Sequence, residues 1–441
     1  MGRIADIVTP PIRIVTVVTL GLGAATLLRC ADRPAPLQLG MLEVHAKLRH
    51  AQAPVAALAQ TGSQIRPLFS QPADDDRALW VEIDVPGDVE SSALLERLAA
   101  DSEVVEAFVA PPVSLPSADD SCPITTPSFE SYQGYLGPAP YGIDAPAAWR
   151  TGIRGQGVWF ADIEGNWNTT HEDLPGNRIT HAGGKLIPDN SWRAHGTAVL
   201  GEVVGVDNGK GVVGIAPDVD RVFTSSIGGT SVANAIDAAQ RALRPGDVLL
   251  IELQSGGPRG RWMPVEYWDD VYDVVHAATT RGVIVVEAAG NGGEDLDHPE
   301  YRGRLDRTKR DSGAIMVGAG GPPRDGFVDR KRLDFSNYGK RVDVQGWGRM
   351  VATLDYGDLQ ECDGLTDRHY TGRFSGTSSA SPIVAGAAVL IQSTARARGG
   401  QLEPIEMRTL LNATGSPQVD RTDDNIGPRP NLARALLQLP D

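Results

Sequence analysis

Three cysteines in 441 residues are too few for a disulfide scaffold, and without a Cys-x-x-Cys pair a four-cysteine zinc site is excluded. Basic residues are in deficit. The 41 Lys and Arg face 56 Asp and Glu, a formal charge of −15. Such a surface repels phosphate backbones and argues against nucleic acid as the main partner. The apolar stretch 14–28 is 15 residues long, short of the roughly 20 that a spanning helix needs. What is abundant is Gly (50) and Pro (31), which implies many tight turns and ordered loops. With 41% hydrophobic and 22% charged residues the chain sits near globular averages, so collagen-like and disordered classes fall away.

Composition divides the chain. Arg3 and Arg13 precede the stretch 14–28, and Arg29, Cys30, Ala31 and Asp32 follow it. Residues 1–31 read as an export signal, against the plainer reading of an apolar helix or a misplaced start. The expected destination is extracellular or periplasmic, with no membrane span in the mature form. A lipid anchor on Cys30 is disfavoured because Arg29 stands where a small residue is wanted. Residues 32–125 read as a pro-segment and linker. Within it, 78–85 alternates like a strand, 86–88 is a turn, 91–100 an amphipathic helix and 104–109 a second strand. Residues 126–420 form the main domain and 421–441 a Pro-rich tail. Cys122 and Cys362 outlast the leader, and a disulfide and two separate thiols both stay open.

In the main domain, 158–163, 248–253, 283–288 and 314–317 are near-continuous apolar runs, as in strands buried on both faces of a parallel sheet. Helix-like stretches at 195–205, 231–243 and 266–280 lie between them, and 403–414 reads as a closing helix. The alternation predicts an α/β fold, three layers α/β/α around a mostly parallel sheet, behind a small α+β pro-domain. Sites in such sheets lie at the carboxyl ends of the strands.

Four residues stand at such ends: Asp162 closing the first run, His195, Asn291 in Gly290-Asn291-Gly292, and Ser378 opening an Ala-rich helix that runs to about 397. Singly each has a plain structural reading: a sheet-end carboxylate, a structural imidazole, a turn residue, a helix cap. Jointly they make a nucleophile set. A serine hydroxyl needs an adjacent base, His195, which a carboxylate, Asp162, holds in the right tautomer. The Ser378 N–H and the Asn291 amide can receive an oxyanion. Ala380 stands where a Gly-x-Ser-x-Gly elbow would have glycine, so a lipase-type site is not indicated.

At these residues the chain resembles the subtilisin-like serine peptidases, the subtilase family, over about 132–415. The resemblance rests on the Asp162–Leu174 block, on Ala194-His195-Gly196-Thr197 through Gly214-Ile215-Ala216-Pro217, on Asn291, and on Gly376-Thr377-Ser378-Ser379-Ala380-Ser381-Pro382. It implies a subtilisin-like fold and a monomeric endopeptidase acting on proteins or peptides through an acyl-enzyme. It also implies autocleavage between 110 and 127 and inhibition by the enzyme's own pro-segment. Substrate contacts would come from Gln254, Ser255, Gly256 and Gly257 and from Ala288, Ala289 and Gly290. The chemistry would need no cofactor. A structural calcium is implied at Asp173, Asn208 and the carbonyls of Val206, Lys210 and Val212, the alternative being a Gly-rich loop without metal. Gln254 and Ser255 depart from the family pattern and predict a more polar wall. Glu252 and Glu287 inside apolar runs are either hydrogen-bonded core residues or, for one of them, part of a pocket favouring a basic side chain. Two other readings are an inactive binding module on this fold and an ester hydrolase.

Overall fold

A computed structural model describes residues 41–50, 64–68, 79–86, 91–110, 123, 125–362, 364–420 and 424–440. The leader, Cys30, Cys122 and most of the expected processing region lie outside the described residues. The chain divides into two compact units, 1–116 and 117–441.

In the first unit, β1 (Met41–Leu48), β2 (Gln64–Pro67), β3 (Trp80–Pro86) and β4 (Val104–Val109) pair antiparallel in the order β2-β3-β1-β4, with α1 (Ser91–Ala100) between β3 and β4 in sequence. Alternate residues Val44, Ala46 and Leu48 join Ile83, Val85, Leu94 and Leu98 in its core. The expected strand–helix–strand is present. β1 and β2 fall in the stretch before residue 77, for which no element was expected.

The second unit opens with α2 (Pro146–Trp149) and β5 (Trp159–Glu164), followed by β6 (Ile179–Gly183), α3 (Asn190–Val204), β7 (Arg221–Ser226) and α4 (Val232–Ala242). Then come β8 (Val248–Ile251), a hairpin of β9 (Gln254–Gly256) and β10 (Trp262–Pro264), α5 (Asp269–Thr280), β11 (Ile284–Ala288) and β12 (Ile315–Gly320). β13 (Val344–Trp347), the pair β14 (Val351–Leu354) and β15 (Tyr370–Phe374), α6 (Thr377–Ala397), α7 (Pro404–Thr414) and α8 (Leu432–Leu437) complete it. Seven parallel strands run in the order β13-β12-β11-β8-β5-β7-β6. This is the expected three-layer α/β fold. One face packs on α3 and α6, the other on α4 and α5.

The sequence runs mark four of these strands, while β6, β7 and β13 are too polar or too short to stand out. Residues 424–440 are not a loose tail. Ile426, Arg429, Leu432 and Ala435 are fully buried, and Arg429 donates to the Tyr141 carbonyl and to Asp329. Cys362 is disulfide-bonded, to a partner outside the described residues. Among the described residues no helix is long and apolar enough to cross a membrane.

Candidate active site

β5 alternates faces. Phe160, Asp162 and Glu164 point toward α3 and α6, while Ala161 and Ile163 point toward α4. Two carboxyls therefore share one face, one pleat repeat apart. α3 begins earlier than the sequence suggests, at Asn190, because the Asp189 side chain accepts the Ser191 and Trp192 N–H groups at 2.9 and 3.1 Å. His195 thus lies in the second turn, with its ring over the end of β5. There its Nδ1 meets Glu164 Oε1 at 2.5 Å. The residue after it must be glycine, since a Cβ at Gly196 would lie 2.4 Å from the Asn166 carbonyl.

The expected partner, Asp162, does not reach the imidazole. It sits one repeat deeper, fully buried, and accepts the Trp167 indole N–H at 2.7 Å. This is a correction with a simple cause. α3 crosses the strand at its last residue, and only that residue can touch His195. Extending the apolar run 158–163 by one residue to Glu164, just before Gly165, would have exposed the second carboxyl.

The charges follow from burial. Desolvation, then the Glu164 charge, push the Asp162 carboxyl well above the usual carboxylate range, against the pull of the Trp167 bond. Burial also raises Glu164, in spite of the charge and hydrogen bond of His195. Burial pushes His195 down, but the adjacent Glu164 outweighs it and lifts the ring above its ordinary value. Of the two carboxyls, only Glu164 touches the imidazole and can balance its charge.

Ser378 occupies the second position of α6, whose helix starts after Gly376 at φ 112, a left-handed geometry that favours glycine. Ser378 and His195 line one cleft of about 480 Å³ together with Asn291. Among the described residues no hydrogen bond joins Ser378 Oγ to the ring, as is common in a substrate-free site. The Asn291 Oδ1 accepts the Thr377 N–H at 2.8 Å and the Thr377 hydroxyl at 3.1 Å. That fixes the amide so that its Nδ2 hydrogens stay available beside the Ser378 helix end.

The predicted substrate residues divide. Gln254, Ser255 and Ala288 line the cleft. Gly256 and Gly257 lie along the hairpin, Gly256 exposed and Gly257 half-buried. Ala289 faces away, packed with Met263 in a separate cluster. Gly290 makes a turn at φ 94. The polar wall is largely satisfied internally: Gln254 Oε1 accepts the Asn291 N–H at 2.8 Å, and the Ser255 hydroxyl accepts the Trp268 indole at 3.0 Å. Apolar walls come from Trp192, Ile227, Val232, Leu253, Trp262 and Val265, none of them marked in advance. Trp192 could have been found, because it stands one turn before His195 on the same helix face.

Glu252 lines this cleft and Glu287 does not. Ser381 Oγ lies 2.5 Å from Glu252 Oε1 and 2.7 Å from the Thr377 carbonyl. Burial raises the Glu252 carboxyl well above its usual range, against the pull of the Ser381 hydrogen bond. Ser381 donates to Glu252, which stands at the cleft wall as a buried, hydrogen-bonded carboxyl. Glu287 accepts the Glu266 N–H at 3.0 Å, beside the buried Arg341–Glu266 ion pair.

The loop proposed for calcium holds a different arrangement. Asp173 Oδ1 accepts the Asn208 amide at 2.9 Å, and its Oδ2 accepts the Val212 N–H at 2.8 Å. Asn208 Oδ1 accepts the Lys210 N–H at 3.1 Å, and Val206 donates its N–H to the Asp173 carbonyl at 2.8 Å. The Lys210 ammonium pairs with Glu172 at 2.6 Å. In this arrangement hydrogen-bond donors, the Asn208 amide and the Val212 N–H, occupy both Asp173 carboxyl oxygens. Burial raises its carboxyl to about 6.

Comparison with known proteins places the chain in a family. The Subtilase family profile matches residues 155–428. The major intracellular serine protease of Bacillus subtilis (strain 168) is 28% identical over 264 residues, 57% of this chain and 73% of its own length. Subtilisin Savinase of Lederbergia lenta is 28% identical over 264 residues, covering 57% of this chain and 84% of that protein. A protease from Pseudoalteromonas arctica PAMC 21717 shares the fold with a TM-score of 0.53 at 21% identity, over 71% of this chain and 98% of that one. The profile spans the sheet from just before β5 to just past Ile426 and takes in the imidazole, the amide and the hydroxyl of the cleft; the chain belongs to the subtilase family and is a hydrolase of the serine-type endopeptidase class.

Proposed function

We propose that the protein cleaves peptide bonds through a Ser378–His195–Glu164 triad. The observation that carries this is the 2.5 Å contact of His195 Nδ1 with Glu164, in a cleft shared with Ser378 and Asn291. Glu164 fixes the Nδ1–H tautomer, which leaves Nε2 to take the Ser378 proton. The Ser378 oxygen then bonds the substrate carbonyl carbon, and His195 returns the proton to the departing amine. The Ser378 N–H and Asn291 Nδ2 stabilise the oxyanion. Water, activated by the same imidazole, releases the acyl group. The extended strand β9, paired on one side with β10, supports a substrate peptide added along its other edge.

Export and self-processing belong to the same proposal. The basic-then-apolar N-terminus and a disulfide at Cys362 support an oxidising destination. The first unit, with its own core, is suited to act as a removable intramolecular inhibitor.

The test is intact mass with a fluorophosphonate probe, for wild type and Ser378→Ala. Wild type should take one probe and lose the segment before residues 110–127, and the variant should do neither. Equal labelling of both proteins would refute Ser378 as nucleophile.

A further inference from the structure

The oxyanion donor Asn291 sits on a loop whose two flanks are held by one buried side chain. Asn337 donates Nδ2 to the Ala289 carbonyl and to the Trp262 carbonyl of β10, both at 2.7 Å. Its Oδ1 accepts the Gly292 and Glu294 N–H groups at 3.1 and 2.9 Å, and its own N–H donates to the Gly290 carbonyl at 3.0 Å. This clamp holds both chain neighbours of Asn291, Gly290 and Gly292, but not Asn291 itself. The backbone N–H of Asn291 is held instead by Gln254 Oε1 at 2.8 Å. Gln254 is also the first residue of β9.

We propose that Gln254 is a positioning residue that ties the oxyanion donor to the substrate strand. The inference rests on the protease reading above. The amide of Asn291 is fixed from two directions, by Thr377 at its side-chain oxygen and by Gln254 at its backbone. Removing the Gln254 acceptor leaves the Asn291 N–H unpartnered between flanks that Asn337 still holds, so the Asn291 peptide alone can tilt. A donor displaced by about 1 Å can lose a large part of its effect, up to about 10² in rate. The effect falls on the transition state, because the oxyanion exists only there. A substrate arriving along β9 would thereby meet a donor already set to the strand it joins.

The experiment compares Gln254→Met with wild type in an Asn291 and an Asn291→Ala background, using a chromogenic peptide, with melting temperatures as a folding control. In the wild-type background kcat should fall about 5- to 50-fold, with KM within about twofold. In the Asn291→Ala background the same change should alter kcat by less than about twofold, since no donor remains to misplace. A rise in KM at unchanged kcat would make Gln254 a substrate contact and overturn the proposal. Equal losses in both backgrounds would make it merely structural, with the same result. Wild type that turns over no peptide would instead overturn the protease reading, so the two failures are distinguishable.

Discussion

Substituting the two carboxyls of β5 one at a time separates their roles. Side chains two residues apart on a strand are about 6.6 Å apart, more than twice a hydrogen-bond length, so Asp162 cannot replace Glu164 at the imidazole. Glu164→Gln removes the charge that balances His195 and lets an amide N–H face Nδ1, favouring the wrong tautomer. The expected loss is about 10⁴ in kcat, or roughly 5.4 kcal/mol of transition-state stabilisation. Asp162→Asn keeps an acceptor for the Trp167 indole and leaves the His195–Glu164 contact intact, so kcat should stay within about threefold. The pH profile reports the same division. His195 must be neutral to act as base, and Glu164 raises its pKa, so the acid limb should lie above the ordinary imidazole value of about 6.5. Asp162→Asn should leave that limb in place, and any residual activity of Glu164→Gln should persist to lower pH. The assay is kcat/KM against pH for the three proteins, with melting temperatures recorded. A collapse of activity in Asp162→Asn beside near-normal Glu164→Gln would refute the assignment.

Three further outcomes are expected. Glu202 on α3 is fully buried, with neither carboxyl oxygen partnered among the described residues, and burial raises it well above its usual range. Its folded pKa exceeds the unfolded one, so the stability it permits is full below about pH 4.3 and is lost as pH rises toward the folded value. Glu202→Met should therefore gain stability over wild type by up to about 1.4 kcal/mol per pH unit above that point, read by urea denaturation at pH 5 and 8; an equal difference at both pH values would contradict this. Arg341, 2.6 Å from Glu266 and 2.9 Å from Asp343 in the core, anchors the loops behind the cleft, and Arg341→Met should cost about 3–5 kcal/mol and lower the melting temperature by on the order of 10 °C. EDTA should leave the melting temperature unchanged, because Lys210 supplies positive charge beside Glu172 and donors already fill Asp173; a clear drop restored by calcium would show that the loop rearranges around the ion.

The layered fold and three of the site residues were legible because both rest on local chemistry. Apolar runs such as 248–251 and 284–288 specify strands buried on two faces, and Gly376-Thr377-Ser378 specifies a helix start that presents a hydroxyl to the cleft. Asn291 between glycines was legible for the same reason. What alternation could not determine was the choice between Asp162 and Glu164, which share a face by parity alone. Where α3 crosses β5 depends on a cap at Asp189 and on close packing at Gly196, and that crossing selects Glu164. The burial of Asp162 and Glu252, the donors gathered on Asp173 and the Gln254–Asn291 tie are likewise properties of distance between residues remote in sequence. Sequence by itself determined which chemical groups are present and on which element ends they stand; the tertiary structure alone decided which of them touch, because touching depends on the packing of whole helices and strands.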